Sequence, residues 1–194
     1  MLRIAEVRDA ERIAEIYKPY VEKTGISFEE SPPSADEMRG RIAHILSAYP
    51  YLVYEEKGLV LGYAYASRYR ERAAYRWSLE SSIYVAEDER GHGVGRSLMG
   101  ALIAILREQG FVNFYAVITP PNPASFALHA RFGFEPLASF PDTAFKNGAW
   151  LGVDWMQLRL NDLPERPKEP IPFPEFARSQ AARLAEILKW GPEA

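Results

Sequence analysis

The chain has 194 residues, enough for one domain with a single core, and 47% of them are hydrophobic. No apolar run reaches the roughly 18 residues that a membrane span requires, so we expect a cytoplasmic protein without a membrane partner. The chain contains no cysteine, which excludes disulfides, thiolate metal sites and a cysteine nucleophile. Its formal net charge of −3 disfavours nucleic acid as the main partner.

Hydrophobic periodicity and turn residues divide the chain into helices and strands. Asp9 can cap a first helix, and Ser34 with Glu37 forms a capping box that begins a second. Asn147-Gly148 is typical of the type I′ turn that joins antiparallel strands. In chain order, the predicted elements are a strand over residues 2–7, helices from Asp9 to about Gly25 and from Ser34 through Leu46, strands over 51–54, 59–67 and 77–85, a helix that stops at Gly110, a strand over 112–119, a helix over 124–132, and a hairpin over 134–145 and 149–160.

This order of elements indicates a mixed α/β (α+β) fold, which we assign to one domain over residues 1–162. Residues 163–194 follow as an appendage that packs on the domain or on a partner subunit. Five prolines between Pro164 and Pro174 predict an extended strap. A final helix that stops near Gly191 is predicted from an apolar face, which is formed by Phe176, Leu184, Ile187 and Leu188.

Residues 90–96 read Arg-Gly-His-Gly-Val-Gly-Arg and form a glycine-rich turn between a predicted strand and a predicted helix. Backbone N–H groups at such a helix start bind anions, and glycine lets the backbone approach the ligand. A dinucleotide fingerprint would need glycine in place of Arg96, and a P-loop would need a lysine that the segment lacks. The alternative is a glycine-rich turn that binds nothing.

Two motifs resemble the GCN5-related N-acetyltransferases (GNAT family). The first is Arg-x-x-Gly-x-Gly over residues 90–95, and the second runs from Asn122 to Gly133-Phe134 across a short helix. The resemblance implies the GNAT acyl-CoA N-acyltransferase fold, in which a central, mixed, twisted and mainly antiparallel sheet is flanked by helices and two strands splay at the acyl-CoA site. It also implies which residues bind acetyl-CoA: Ile83, Tyr84, Val85, Arg90, Gly91, His92, Gly93, Val94, Gly95, Arg96, Ser97, Asn122, Ser125 and His129.

Within that family, the chain is most similar to the phosphinothricin and methionine sulfoximine N-acetyltransferases. The residues that carry this resemblance are Phe28-Glu29, Tyr63 to Ala66, Tyr75 to Val85, Phe145 to Gly148 and Trp155 to Gln157. The resemblance implies a small amino acid or analogue as the amine substrate, and a homodimer. One departure weakens the case for phosphinothricin itself: the herbicide-resistance enzymes carry a histidine shortly after the Gly-x-Trp of the last hairpin, where this chain has Leu151-Gly152.

Glu80 is the candidate general base. Strand alternation directs its carboxylate away from the face that Leu79 and Ser81 share. An α-amine with a pKa near 8 is about one tenth neutral at pH 7, which costs roughly 1.4 kcal/mol, whereas a lysine side chain would cost roughly 4.6 kcal/mol. A carboxylate that relays through water is therefore adequate for an α-amine. The alternative is that Glu80 only pairs with a nearby arginine.

The other substrate residues follow from the resemblance. Phe28, Glu29, Arg72 and Tyr75 would join Glu80, and Arg72 offers a guanidinium fork suited to a substrate carboxylate. The alternatives are a solvated arginine-rich loop and a Phe28 that belongs to the core.

Two residues are candidates for the acid that protonates the leaving thiolate. His129 stands where many relatives carry a tyrosine thought to have this role, and Tyr84 shares the face of Glu80. The alternative for His129 is a structural role, and for His92 a side chain in solvent. Three dispersed histidines predict no metal site.

Together these residues predict direct transfer of an acetyl group from acetyl-CoA to the α-amine of a small amino acid, within a ternary complex. With no cysteine and no Gly-x-Ser-x-Gly turn, the chain offers no evident residue to carry the acyl group. Another amine, such as a protein N-terminus or a polyamine, is the first alternative, although the arginines over residues 68–76 disfavour a polyamine. A non-catalytic acyl-CoA-binding module on the same fold is the second.

Overall fold

The computed structural model describes residues 1–189, and within them it contains seven strands, six α-helices and three short 3₁₀ helices. The predicted order of elements is confirmed. The strands are β1 (Leu2–Ile4), β2 (Tyr51–Glu56), β3 (Leu59–Arg68), β4 (Ser78–Val85), β5 (Asn113–Ile118), β6 (Glu135–Lys146) and β7 (Ala149–Arg159). The helices are α1 (Ala10–Lys23), α2 (Ala35–Leu46), α3 (Val94–Glu108), α4 (Pro123–Arg131), α5 (Phe173–Ser179) and α6 (Ala181–Ile187).

All seven strands form one sheet in the order β1-β2-β3-β4-β5-β7-β6. Every neighbouring pair is antiparallel except β4 and β5, which run parallel. These two strands pair only over Ser78–Glu80 and Asn113–Tyr115. Beyond Glu80 they separate and leave a gap in the sheet, so the splayed strands implied by the resemblance are confirmed.

Helices cover both faces of the sheet and give the domain two hydrophobic cores. On one face, Leu79 is buried among the apolar residues of α3 and of the C-terminal tail. On the other face, Tyr84 packs with α1 and α2. Since Leu79 and Tyr84 differ in strand parity, the predicted alternation along β4 is confirmed.

Several predicted helix caps and turns are confirmed. Ser34 and Glu37 make a reciprocal capping box at the start of α2. Gly110 takes a φ of +85° after α3, as a C-terminal glycine does. Asn147 and Gly148 both have positive φ, as a type I′ hairpin turn requires.

Asp9 does not cap α1 as predicted. Its carboxylate instead accepts hydrogen bonds from the backbone N–H of Glu6 and from the guanidinium of Arg3, at 2.7 Å each. The Arg3 partner lies on β1 and could not be read from the local pattern, and together these bonds lower the pKa of Asp9 against the opposing effect of burial.

The tail also departs from prediction. The extended strap ends earlier, because α5 begins at Phe173 with Pro174 inside its first turn, where a missing N–H costs nothing. The final helix is two short helices, divided at Gln180 by a non-helical φ of −121°. The predicted stop at Gly191 lies outside the described residues.

Between residues 1 and 189, no helix is both long and apolar enough to cross a membrane.

Candidate active site

The candidate site is the cleft where the β4–β5 gap meets the N-terminus of α3 and one side of α4. A Cβ at Gly95 would lie 3.5 Å from Leu128 of α4 and 3.8 Å from Ile83 and Val85 of β4. These are ordinary contact distances, so Gly95 lies between β4 and α4 without being forced by packing to be glycine. A Cβ at Gly62 of β3, by contrast, would lie only 2.9 Å from Val94, so this glycine lets α3 begin close against the sheet.

The glycine-rich loop ends in a helix start that no side chain caps. Gly91 and Gly93 have φ values of +84° and +83°, which residues with a Cβ rarely adopt. Gly93 is the N-cap residue, and having no side chain it cannot satisfy the first N–H groups of α3. Such a helix start, with its positive dipole end, suits a phosphate or pyrophosphate group.

The two polar residues that precede Gly93 behave differently. The Arg90 guanidinium lies 4.8 Å from the centre of the Tyr20 ring, and the Tyr20 hydroxyl donates to the Val85 carbonyl at 2.6 Å. Arg90 is thereby held at the end of β4, beside the glycine-rich loop. His92 is exposed, with Nδ1 3.7 Å from a Glu89 carboxylate oxygen, which fits the solvent alternative.

The edge of β4 that faces the gap presents backbone hydrogen-bonding groups. The Ala86 N–H bonds to the Leu61 carbonyl on β3, which sets the alternation of the antiparallel ladder. Odd-numbered residues of β4 therefore direct their N–H and C=O groups away from β3. The Ser81 N–H faces Tyr115 in the last parallel pair. The Ser81 carbonyl and both backbone groups of Ile83 point into the gap, where an extended ligand with amide groups could bind as an added strand.

Asn122 begins α4 as its N-cap. Its side-chain oxygen accepts a hydrogen bond from the Ser125 N–H at 3.2 Å. This bond occupies the carbonyl end of the side chain and leaves the amide NH₂ as the end available to a ligand.

His129, on α4, is buried and lies on the opposite face of the sheet from Glu80. Its Nδ1 is 2.8 Å from the Ser125 carbonyl, which can only accept, so Nδ1 carries the proton. Burial lowers the pKa of His129, which favours the neutral ring at pH 7. Its Nε2 then accepts from the Ser81 hydroxyl at 3.4 Å, beside the gap. His129 could protonate a thiolate only after gaining a proton, so that role stays a prediction.

Glu80 is half-buried at the last paired position of β4, between Ser67 of β3 and Tyr115 of β5. Burial raises the pKa of its carboxyl above 4.5, and the positive charge of Arg70 only partly opposes this effect. No ion pair or hydrogen bond to this carboxylate occurs in the part of the chain that the structure describes. Arg70 therefore acts on Glu80 through its charge without a direct bond, and the general-base role of Glu80 stays a prediction.

A cavity of about 180 Å³ opens on the same face of the sheet as Glu80. Ser67, the cross-strand neighbour of Glu80, lines it, and so does Tyr65, two residues earlier on β3. The remaining lining residues are mostly aromatic or apolar, with two basic side chains from α2: Tyr17, Met38, Arg41, His44, Ile45, Tyr51, Tyr63 and Tyr84. Burial raises the pKa of Tyr84 well above 10, so its phenol is protonated at neutral pH.

Glu29 belongs to a polar cluster at this cavity. Its carboxylate makes two bonds to the Arg41 guanidinium, at 2.7 and 2.9 Å, and accepts from the Tyr17 hydroxyl at 2.9 Å. The Arg41 pair lowers the pKa of Glu29, whereas burial raises the pKa of Tyr17 to about 12. Phe28 beside it is 38% exposed, so the alternative that Phe28 belongs to the core is not supported.

The predicted substrate residues Arg72 and Tyr75 lie outside this cavity, in the exposed loop before β4. The Tyr75 ring contacts Tyr69 at a centroid distance of 5.6 Å, and Tyr69 in turn contacts Tyr115, the neighbour of Glu80 on β5. This aromatic group connects Tyr75 to the neighbour of Glu80, whereas the substrate role of Arg72 stays a prediction.

Sequence reasoning missed the cavity walls. Arg41 and Tyr17 are separated by 24 positions and meet only through Glu29, once α1 and α2 pack together. The alternation of Tyr63, Tyr65 and Ser67 along β3 was the available signal, because it places all three on one face.

Comparisons with known proteins agree with this geometry. The chain matches the acetyltransferase (GNAT) domain over residues 2–155. It is 43% identical over 162 residues to a phosphinothricin N-acetyltransferase of Alcaligenes faecalis, covering 82% of each chain. It is 37% identical over 168 residues to an L-methionine sulfoximine/L-methionine sulfone acetyltransferase of Pseudomonas paraeruginosa, covering 86% of this chain and 98% of the other. The fold superposes with a TM-score of 0.83 on the crystal structure of a phosphinothricin acetyltransferase from Sinorhizobium meliloti in complex with acetyl-CoA, which is 40% identical, with 88% and 94% of the two chains covered.

Proposed function

The chain belongs to the GNAT acetyltransferase family, and from this premise we propose that it transfers an acetyl group from acetyl-CoA to the α-amine of a small amino acid or analogue. The observation that carries the proposal is the position of Glu80. Its half-buried carboxylate stands where the β4–β5 gap begins, with the substrate-sized cavity on the same face.

The start of α3 and the edge of β4 support the proposed binding of acetyl-CoA. The uncapped start of α3, with Arg90 beside it, suits the pyrophosphate. The Ser81 carbonyl and the Ile83 backbone suit the amide groups of the pantetheine arm. When bound, acetyl-CoA supplies an activated acetyl group as a thioester. The open edge of β4 would aim that group at Glu80.

Glu80 would accept the proton of the incoming amine, directly or through a water. A carboxyl with a raised pKa is a stronger base than an exposed one, which brings it closer to the pKa near 8 of an α-amine. Direct transfer within a ternary complex needs no covalent carrier. The acid for the leaving thiolate, Tyr84 or His129, stays a prediction.

A small amino acid or its analogue fits the cavity better than a bulky amine does. About 180 Å³ is room for a short side chain, and the aromatic walls with Arg41 and His44 suit an apolar neck that ends in oxygen atoms. The herbicide-resistance enzymes of the family carry a histidine shortly after the Gly-x-Trp of the last hairpin, where this chain has Leu151-Gly152. A Cβ at Gly25 would lie 2.8 Å from the Leu151 side chain. The missing histidine weakens the case for phosphinothricin itself as the substrate.

We further propose that the protein acts as a homodimer in the cytoplasm. The support for the dimer is the β6–β7 hairpin, on which large apolar side chains are exposed. The cytoplasm is a prediction from the sequence.

The test is release of free thiol from acetyl-CoA with a panel of amines: phosphinothricin, methionine sulfoximine, methionine sulfone, methionine, putrescine and a short peptide. We expect the amino-acid analogues to give the highest kcat/KM and an N-acetyl product by mass spectrometry. Acetyl-CoA binding without thiol release from any amine would favour the binding-module alternative. Preference for putrescine or the peptide would favour the other amines.

Two glycine variants, one a test and one its control, examine the acetyl-CoA site in the same assay. Gly95→Asp adds a negative charge to the first turn of α3, and we expect it to abolish thiol release by repelling the pyrophosphate. Gly40→Asp makes the same change within α2, where a new side chain meets nothing within 4 Å, and should keep the wild-type rate.

A further inference from the structure

The strap over residues 161–172 lies beyond the segment that matches the family domain, which ends at residue 155. It is docked on the end of the arginine-rich loop that precedes β4. The Trp77 indole N–H donates to the Lys168 carbonyl at 2.7 Å, and the Arg76 guanidinium pairs with the Glu169 carboxylate at 2.5 Å. The same guanidinium lies 4.8 Å from the centre of the Trp77 ring.

The strap is itself fixed to the core on both sides of this contact. Before it, the Asn161 amide donates to the Phe111 carbonyl at 2.7 Å. After it, Ile171 exchanges two hydrogen bonds with Gln109, at 2.7 and 2.8 Å, and the Phe173 N–H donates to the Ala48 carbonyl. The tail then buries four apolar side chains in the core of α3: Phe173, Phe176, Leu184 and Ile187. The strap segment with Lys168 and Glu169 is therefore held in place on the core.

Trp77 connects the strap to the candidate site. Its carbonyl accepts from the N–H groups of Val112 and Asn113, so it is held by β5 on one side and by the strap on the other. It is the last residue before β4, three positions before Glu80. Residues 68–76, which carry Arg72 and Tyr75, end against it.

We propose that Trp77, held by the Lys168 carbonyl of the strap beside the Arg76–Glu169 pair, is a positioning residue that fixes the loop over residues 68–76 for the amine substrate. The inference rests on the proposed function, since it concerns the amine side of the same site. The hydrogen bonds and ion pair of the strap go to the loop before β4 and to residues 107–111. We therefore expect its contribution to fall on the amine KM and to leave the acetyl-CoA KM unchanged.

The two contacts should affect the amine KM to different degrees. The Arg76–Glu169 pair is exposed at 40% and 66%, and exposed ion pairs contribute little. The Trp77–Lys168 bond is short and made to a fixed carbonyl, so its loss corresponds to roughly a fivefold effect. We therefore expect Trp77→Phe, which removes only the N–H donor and keeps an aromatic ring, to raise the amine KM about fivefold. Glu169→Gln should raise it about twofold or less.

The experiment measures both KM values, kcat and the exchange of backbone amide hydrogens over residues 68–76 in the full chain. Trp77→Phe is expected to raise the amine KM and to speed exchange in this loop. Arg183→Gln is the matched control, because it breaks the ion pairs of α6 with Glu108 and Glu186 at the far end of the tail and should leave both readouts unchanged. An unchanged amine KM, or equal rises in both KM values, would overturn the proposal.

The exchange measurement distinguishes failure of the proposed function from failure of the positioning role of Trp77. If the wild-type chain released no thiol with any amine, the proposed function would fail, and the substrate role of Trp77 with it. Faster exchange in Trp77→Phe would still show that Trp77 fixes the loop over residues 68–76. Wild-type exchange in this variant, with activity intact, would overturn this positioning role alone.

Discussion

At the scale of single residues, the environment of Glu80 decides how the site depends on pH. The buried carboxyl has a raised pKa, so it is fully ionised only at a higher pH than an exposed glutamate. Both this ionisation and deprotonation of the amine make the site more reactive as pH rises. We therefore expect the acidic limb of the kcat/KM profile to report Glu80, and the limb nearer pH 8 to report the amine.

Glu80→Gln should lower kcat/KM by about 100-fold and remove the acidic limb, which shifts the remaining profile upward in pH. The variant should not be less stable at pH 7. Because the folded pKa lies above the unfolded one, ionisation of Glu80 costs stability as pH rises through the folded value, and glutamine avoids that cost. Rate profiles and melting temperatures from pH 5 to 9 measure both effects.

Glu56→Gln removes the same charge at an exposed position of β2 and should change neither quantity. An acidic limb that persists in Glu80→Gln would show that another group is the base.

Some of this residue-level detail could be predicted and some could not. Strand parity placed Glu80, Tyr84 and Leu79 on the correct faces, because the period of two is a local property of the chain. The effect of Arg70 on Glu80 and the Glu29–Arg41 pair depend on how loops and helices pack, which no local pattern encodes. For the same reason the Arg3 partner of Asp9 was not foreseen.

At the scale of elements, the β6–β7 hairpin holds the α1–α2 connection, which carries Phe28 and Glu29. Lys146, at the end of β6, is 7% exposed, and its ammonium group is hydrogen-bonded. It donates to the carbonyls of Val21 and Ser27, at 2.7 and 2.6 Å. Burial lowers the pKa of this lysine, and the charge of Glu29 acts in the opposite direction.

Lys146→Met should destabilise the protein by about 2 kcal/mol, because two carbonyls lose a charged donor. It should also raise the amine KM severalfold, since the segment with Phe28 and Glu29 loses its tether. Urea unfolding and steady-state kinetics measure the two effects. Lys18→Met, at an exposed position of α1, is the control and should change neither. Loss of stability with an unchanged amine KM would limit Lys146 to a structural role.

The elements themselves were largely predictable, because each carries a periodicity and an end signal within its own sequence. Ser34–Glu37, Gly110 and Asn147-Gly148 all ended or began elements as expected. The β4–β5 gap was different, since a parallel pair that parts after three residues leaves no local signature, and only the family resemblance implied it. The break at Gln180 was missed because the residues on either side share one apolar face.

In the whole molecule, β6 is a sheet edge that no other element among residues 1–189 covers. The sheet ends at β6, and residues 135–143 of this strand are all exposed. Large apolar side chains are concentrated on the hairpin: Leu137, Phe140, Phe145 and Trp150 are each at least half exposed. Long apolar edges promote association unless a partner covers them, so this surface supports a second copy of the chain as its occupant.

We expect the wild-type protein to elute at twice the mass of one 22.0 kDa chain in size-exclusion chromatography with light scattering. Phe145 and Trp150 face each other across the turn, with ring centres 5.5 Å apart, and form the largest exposed aromatic pair of the hairpin. Replacing both by serine should yield a monomer, because aromatic side chains supply much of the energy of such interfaces. Leu59→Ser with Leu163→Ser removes two comparably exposed side chains elsewhere and should leave the dimer intact. A wild-type monomer at all concentrations would contradict the dimer.

The dimer interface is also connected to the candidate site, because Lys146 fastens this hairpin to the segment that carries Glu29. We therefore expect the double serine variant to have a higher amine KM than the wild type, even though Phe145 and Trp150 lie outside the cavity.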